Sequence, residues 1–253
     1  MQNFRRIIEY NRKWAGDMIA ADPEYFERRA GKQEPHFLYI GCADSRVPAD
    51  VATGVEPGEL FVHRNIANLV LPSDLSAMSV VQYAVEVLDV KHVIVAGHYN
   101  CGGVRAAMGD QSYGLVDHWL GPIRNVVRWN RDELEAIGDE QKRFDRVVEL
   151  NVLEQIYNLS GTPVIQRAWA KGRRPLLHGL VYDLHTGLLH ELATGVDSQE
   201  AADALADRRM SGTPAGPPAR GAATPGAPVL AGDALAEQIA ARVAERLAAA
   251  GAR

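Results

Sequence analysis

The chain has 253 residues, 47% of them apolar and 23% charged, with a formal net charge of −5; this is enough apolar material for one globular domain with or without an appendage, and it excludes disorder throughout. Lys and Arg are mixed with Asp and Glu, so no basic stripe is available to hold a phosphate backbone, and nucleic acid is not an expected partner. No stretch is long and apolar enough to span a bilayer, and charges interrupt the apolar residues of Met1 to Trp14 where a signal peptide would run unbroken; the expected location is cytoplasmic, with the two cysteines as reduced thiols.

Residues 1–35 read as an N-terminal helical arm, with Phe4, Ile7, Ile8, Trp14, Met18 and Ile19 forming a discontinuous apolar face on one or two charged helices. His36 to Gly41 is a short apolar run ending in Gly and suits a buried strand, and Leu60 to His63 suits a second, across a turn-rich stretch. Apolar residues at helical spacing from Ala77 to Leu88 predict a helix over 74–88, capped by Ser73 or Asp74. His92 to Ala96 is a β-branched strand, and Gly102-Gly103 opens another helix. Strand, helix, strand, helix predicts an α/β fold with a central, mostly parallel β-sheet flanked by helices, whose ligands bind beyond the carboxyl ends of the strands.

Residues 114–171 read as predominantly helical, and Leu180–Leu184 and Leu188–Leu192 flank His-Thr-Gly as a hairpin. The α/β domain is assigned to residues 36–196 and a linker to 197–232. Within that linker, residues 211–232 hold five Pro, five Gly and six Ala, a composition unable to bury a core and read as flexible. Residues 233–253 form an Ala-rich tail with Leu235, Ile239, Val243 and Leu247 at steps of four, read either as a weakly amphipathic helix or as a docking helix.

The only two cysteines, Cys42 and Cys101, follow two different strands, and His98 stands three residues before Cys101. Imidazole and two thiolates form the mixed nitrogen and sulfur set that zinc favours, and three protein ligands leave a fourth position for water, as in a catalytic site. Asp44 is close enough in sequence to take that position. In an extended segment Cys42, Asp44 and Arg46 share a face, which predicts a bidentate ion pair in which Arg46 holds the Asp44 carboxylate; the alternative is an ordinary turn-region ion pair worth little. Six of the eight histidines, His36, His92, His118, His178, His185 and His190, read as ordinary surface or core residues, and the sequence selects no proton shuttle among them.

Cys42-Ala43-Asp44-Ser45-Arg46 and His98-Tyr99-Asn100-Cys101-Gly102-Gly103, with Glu59 to Asn68 between them, resemble the paired signature of the β-class carbonic anhydrases over about residues 1–195. The resemblance implies one Zn2+ per chain on Cys42, His98 and Cys101, and reversible hydration of carbon dioxide to bicarbonate and a proton by zinc-bound hydroxide. It also implies that Asp44, positioned by Arg46, accepts a hydrogen bond from the nucleophile, or becomes the fourth ligand in a closed state. It further implies a homodimer, its amino-terminal helices wrapping the partner, that assembles to a tetramer. Val47-Pro48-Ala49 looks like a bacterial branch with a regulatory bicarbonate site, which maps onto Tyr39, Arg64 and Tyr182; the usual aromatic there is Trp, and the alternative reading is that Tyr39 and Tyr182 simply pack. The rival readings are a carbonyl sulfide or carbon disulfide hydrolase on the same fold, a non-catalytic zinc-containing scaffold, and, weakest, a redox dithiol.

Overall fold

The computed structural model describes residues 2–172 and 174–210. The arm is a long helix α1 (Gln2–Ala21) and a single turn α2 (Glu27–Ala30), joined through Trp14, whose ring meets Tyr25 and Phe26 edge-on. Then come β1 (Phe37–Cys42), α3 (Ala49–Thr53), β2 (Leu60–Asn65), α4 (Leu75–Gln82), β3 (His92–His98) and α5 (Gly102–Met108). Five helices fill the expected helical stretch: α6 (Leu115–Trp119), α7 (Gly121–Trp129), α8 (Arg131–Ala136), α9 (Glu140–Ser160) and α10 (Pro163–Ala170). The hairpin β4 (Leu176–Tyr182) and β5 (Leu189–Val196) and a last helix α11 (Gln199–Met210) complete the described chain.

The strands form one sheet of order β2-β1-β3-β4-β5, with the first four strands parallel and only β5 antiparallel. This is the mostly parallel α/β sheet that the alternation predicts. β1 and β3 are adjacent, so the loops that leave their carboxyl ends emerge side by side. α9 lies across β3 and β4 and carries much of the core. Its close approach explains two glycines: a Cβ on Gly97 would come within 2.6 Å of Val152 Cγ2, and one on Gly179 within 3.1 Å of Val152 Cγ1. Small residues on the strands let the helix sit directly on the sheet.

Three local features bear on the expected elements. Asp74 caps α4 as predicted, accepting from the Ser76 and Ala77 amides. The helix does not run unbroken to residue 88, however, because Tyr83–Val87 widens into a π turn closed by the Leu88 N–H on the Tyr83 carbonyl, and Asp89 at φ +53° ends it. β4 begins four residues earlier than the predicted hairpin arm, since a strand paired with β3 along its whole length needs only alternate burial.

The linker assigned from residue 197 also needs correction. Gln199–Met210 is helical, the Ser198 hydroxyl accepts from the Ala201 amide, and Ala202 is fully buried against the core. Ala201, Ala202 and Leu205 recur at helical spacing and supply the apolar stripe that docks α11 on α9 and β5. The rest of the assigned linker and the 233–253 tail lie outside the described residues. Among the described residues no helix is long and apolar enough to cross a membrane.

The contact at Gly97 makes a stability prediction. Gly97→Ala forces a methyl into the α9 side chains and should lower stability by about 1–3 kcal/mol, read as a shift in the midpoint of chemical denaturation; an unchanged midpoint would mean that α9 gives way without cost.

Candidate metal centre

Cys42 is the last residue of β1, His98 the last of β3, and Cys101 the residue that opens α5. Their ligand atoms all lie within 4.8 Å of one another, and all three residues are buried. The two sulfurs are 3.9 Å apart, close to the roughly 3.8 Å that separates two thiolates at about 2.3 Å from a tetrahedral zinc. His98 Nδ1 donates to the Tyr99 carbonyl at 3.0 Å, which assigns the proton to that nitrogen and turns the Nε2 lone pair toward the sulfurs. Nε2 is buried with no hydrogen-bond partner. A buried nitrogen without a partner, facing two thiols, is suited to a cation, and the donor set fits zinc.

Without a metal the sulfurs compete for one charge. Cys42 is pulled well below the ordinary thiol range, first by the hydrogen bond from the Cys101 thiol and also by the Ala67 amide, against the cost of burial. The resulting Cys42 thiolate, together with burial, pushes Cys101 up. A dication removes the conflict by ligating both sulfurs as thiolates.

The Ala67 N–H lies 3.4 Å from Cys42 Sγ, and to present it the chain takes left-handed angles at Ala67 (φ +63°) and Asn68 (φ +51°). Such angles are costly for alanine. They are held by α9: Asn151 Nδ2 donates to the Ala67 carbonyl at 3.0 Å, and Gln155 Oε1 accepts from the Val70 amide at 2.9 Å. Sequence reasoning missed this support, because it comes from polar residues on the buried face of a helix more than 80 positions away.

Asp44 and Arg46 do pair, though not by the extended geometry expected. Beyond Cys42 the chain turns: the Asp44 side chain accepts from the Arg46 amide at 2.9 Å and its carbonyl from the Val47 amide at 3.2 Å. The turn lets Arg46 Nε and Nη2 reach Asp44 Oδ1 and Oδ2 at 2.9 and 2.7 Å, a bidentate pair. The Arg46 guanidinium, helped by the Arg46 amide, holds the Asp44 carboxyl well below the usual carboxylate range despite partial burial. Asp44 Oδ2 is also 3.7 Å from His98 Nε2, so the carboxylate stands beside the ligand set while bound to Arg46.

Tyr39 on β1 and Arg64 on the neighbouring β2 alternate to the face of the sheet opposite Cys42. Leu38, Ile40 and Cys42 join the main core, whereas Tyr39 packs with Ala49, Ile94 and Ala96. Arg64 donates to three backbone carbonyls, those of Cys42 (2.8 Å), Asp44 (2.8 Å) and Val47 (3.0 Å), and so braces the segment that carries Asp44. Burial pushes the Tyr39 hydroxyl up to about 12 against the opposing pull of Arg64, with Tyr182 in the same surroundings.

The family model described as carbonic anhydrase matches residues 37–189. The chain is 49% identical over 191 residues to a carbonic anhydrase of Emericella nidulans, covering 76% of this chain and 84% of that protein. It is 38% identical over 197 residues to one from Pseudomonas aeruginosa, covering 74% and 87%. Among solved structures, a tetrameric β-carbonic anhydrase of Sordaria macrospora superposes with a TM-score of 0.74 at 40% identity, covering 78% of this chain and 100% of that one. These relatives, one fungal and one bacterial, do not confirm the bacterial branch read from Val47-Pro48-Ala49.

Metal content tests the centre. Cys42→Ala and His98→Ala should lose most of the bound zinc seen by elemental analysis of the unaltered protein. Asn151→Ala, which removes only support for the Ala67 loop, should weaken zinc affinity by about tenfold in a chelator competition.

Proposed function

This chain belongs to the carbonic anhydrase family, in its β class, and is an enzyme of that activity; from that premise we propose that it interconverts carbon dioxide with bicarbonate and a proton, using zinc held by Cys42, His98 and Cys101. The observation that carries this reading is a three-donor centre with a carboxylate kept beside it by an arginine. When bound, zinc acts as a Lewis acid that acidifies water and supplies a nucleophile for the carbon of the substrate.

The residues of the chain do the rest. His98 would hold the metal through Nε2, its tautomer fixed by the Tyr99 carbonyl. Asp44, kept ionised by Arg46, accepts a hydrogen bond from the attacking oxygen and so points a lone pair at the substrate. If Arg46 releases it, the same carboxylate can fill the fourth position and close the site. A structural zinc needs no such gate, so the scaffold reading is set aside. Redox chemistry of the two thiols is disfavoured by their ligation to metal.

The quaternary reading is a homodimer that pairs into a tetramer. Its support is the exposed apolar face of α1, where Phe4 and Ile7 are 68% and 59% accessible, and the tetrameric Sordaria relative. A reducing, cytoplasmic location completes the proposal, because it keeps both sulfurs available to metal.

A second component, bicarbonate inhibition through Tyr39, Arg64 and Tyr182, is favoured by one observation: Arg64 holds the carbonyl of Asp44 itself. An anion that draws Arg64 from the carbonyls it braces would loosen the segment on which the dyad stands, and so favour the closed state.

Stopped-flow hydration of carbon dioxide by the zinc-loaded protein tests the main reading, with Cys42→Ala as the inactive control. Two thiolates and a neutral imidazole offset the dication to a formal sum of zero, so water is acidified less than at an all-histidine site, where its pKa is about 7. Activity should therefore climb from neutral to alkaline pH; because Asp44 is already ionised, the rise reports the metal centre. A profile flat from about pH 6 to 9 would overturn this mechanism, and turnover of carbonyl sulfide without that of carbon dioxide would favour the rival substrate. Asp44→Asn should lower kcat by about a hundredfold. For the bicarbonate site, Arg64→Ala and the milder Tyr182→Phe should both relieve inhibition; full inhibition in both would remove it.

A further inference from the structure

We propose that His185, on the turn between β4 and β5, is a positioning residue for the catalytic dyad, acting through Asn100 to fix the guanidinium that holds Asp44. The inference rests on the proposed roles of Asp44 and Arg46. The geometry begins at Asn100, which stands between two of the ligands at φ +57°, the left-handed region that asparagine enters more readily than most residues. In this conformation its carbonyl accepts from Arg46 Nη2 at 3.2 Å. Its side chain faces two other elements: Oδ1 accepts from Arg105 Nη2 at 3.4 Å, and Nδ2 lies 3.2 Å from His185 Nε2.

The assignment of donors is constrained. Arg105 has only protons to offer, so the amide oxygen faces Arg105 and the amide nitrogen faces His185. His185 must then accept at Nε2 and carry its proton on Nδ1. Arg105 is itself steadied above the Phe144 ring, 4.0 Å from its centroid. The backbone N–H of His185 donates to Asp183 Oδ1 at 2.8 Å, and Asp183 is buried. The same turn is closed by the Gly187 amide on the Asp183 carbonyl and the Asp183 amide on the Leu188 carbonyl, both at 2.8 Å. An exposed imidazole thus sits at the tip of a rigid hairpin, with its acceptor against the metal loop.

The brace matters because Arg46 is otherwise loosely held. Its side chain is 55% exposed, and beyond Asp44 its only hydrogen-bond partner among the described residues is the Asn100 carbonyl. Asp44 is 16% exposed and close enough to His98 to exchange Arg46 for the metal. The hold on Arg46 therefore biases the choice between the two partners. One net hydrogen bond in that hold corresponds to about a fivefold shift in the ratio.

The test compares His185→Ala, His185→Gln, Asn100→Gly and the Asn100→Gly/His185→Ala double variant, all as full chains. Two readouts are used: steady-state hydration by zinc-loaded protein, and the visible spectrum of Co2+-loaded protein, which reports whether a carboxylate or water completes the metal. In His185→Ala we expect kcat to fall by about fivefold with KM nearly unchanged, and the cobalt spectrum to shift toward carboxylate ligation at the same metal content. His185→Gln, whose Oε1 can accept from Asn100, should return both readouts toward wild type. Asn100→Gly tolerates the left-handed angle but lacks the amide, so it should match His185→Ala, and the double variant should be no worse than Asn100→Gly. Wild-type kcat and spectrum in His185→Ala would overturn the inference, as would additive losses in the double variant. Absence of hydration by the wild-type zinc protein would instead overturn the proposed function, while the cobalt spectra of the variants still judge the brace.

Discussion

Two thiols 3.9 Å apart and a histidine nitrogen without a partner, all buried at the ends of adjacent strands, form an arrangement that protein atoms alone leave unbalanced. One proton held between the sulfurs keeps only one of them charged, and no hydrogen bond among the described residues engages His98 Nε2. A dication satisfies all three at once. Folding and metal binding are coupled through this constraint, since the free energy of ligation offsets the cost of bringing acidic sulfurs and an unpaired nitrogen out of water.

Much of the surrounding structure serves to keep those donors in register. The parallel pairing of β1 with β3 brings Cys42 next to the strand end that carries His98, and Cys101 immediately precedes α5, whose first turn fixes the third donor. Left-handed backbone at Ala67 aims an amide at Cys42, and the cost of that conformation is met by Asn151 and Gln155 on α9. α9 reaches the loop only because Gly97 and Gly179 let it approach the sheet. Packing and polar satisfaction are therefore one system here, in which a methyl group on β3 would disturb the helix whose amides hold the metal loop.

The donor set was legible from the sequence. His98 and Cys101 stand three residues apart, and Cys42, 59 positions before Cys101, follows a strand that the alternation places in the same sheet, so residue type and strand order together point to zinc. The Asp44 and Arg46 pair was legible as a pair but not as a geometry. Alternation along an extended strand suggested a shared face, whereas the chain turns at Asp44 and the two side chains meet across an Asx turn. Short polar side chains that bond to nearby amides make such turns competitive with continued strand. His185 was passed over as an ordinary histidine because its significance depends on Asn100, 85 positions away. The helical character of residues 199–210 was passed over because Pro, Gly and Ala dominate the residues immediately beyond them.

By itself the sequence determined the α/β alternation, the three metal donors and the presence of a carboxylate and a guanidinium beside them, because each depends on residue type, short spacings and the order of the strands. Only the tertiary structure decided how the carboxylate is held, which carbonyls Arg64 braces, and how α9 and the β4–β5 turn support the metal loop. Those relations join residues that are remote in the chain, and hydrogen-bond directions and close approach are set by packing, which no local pattern encodes.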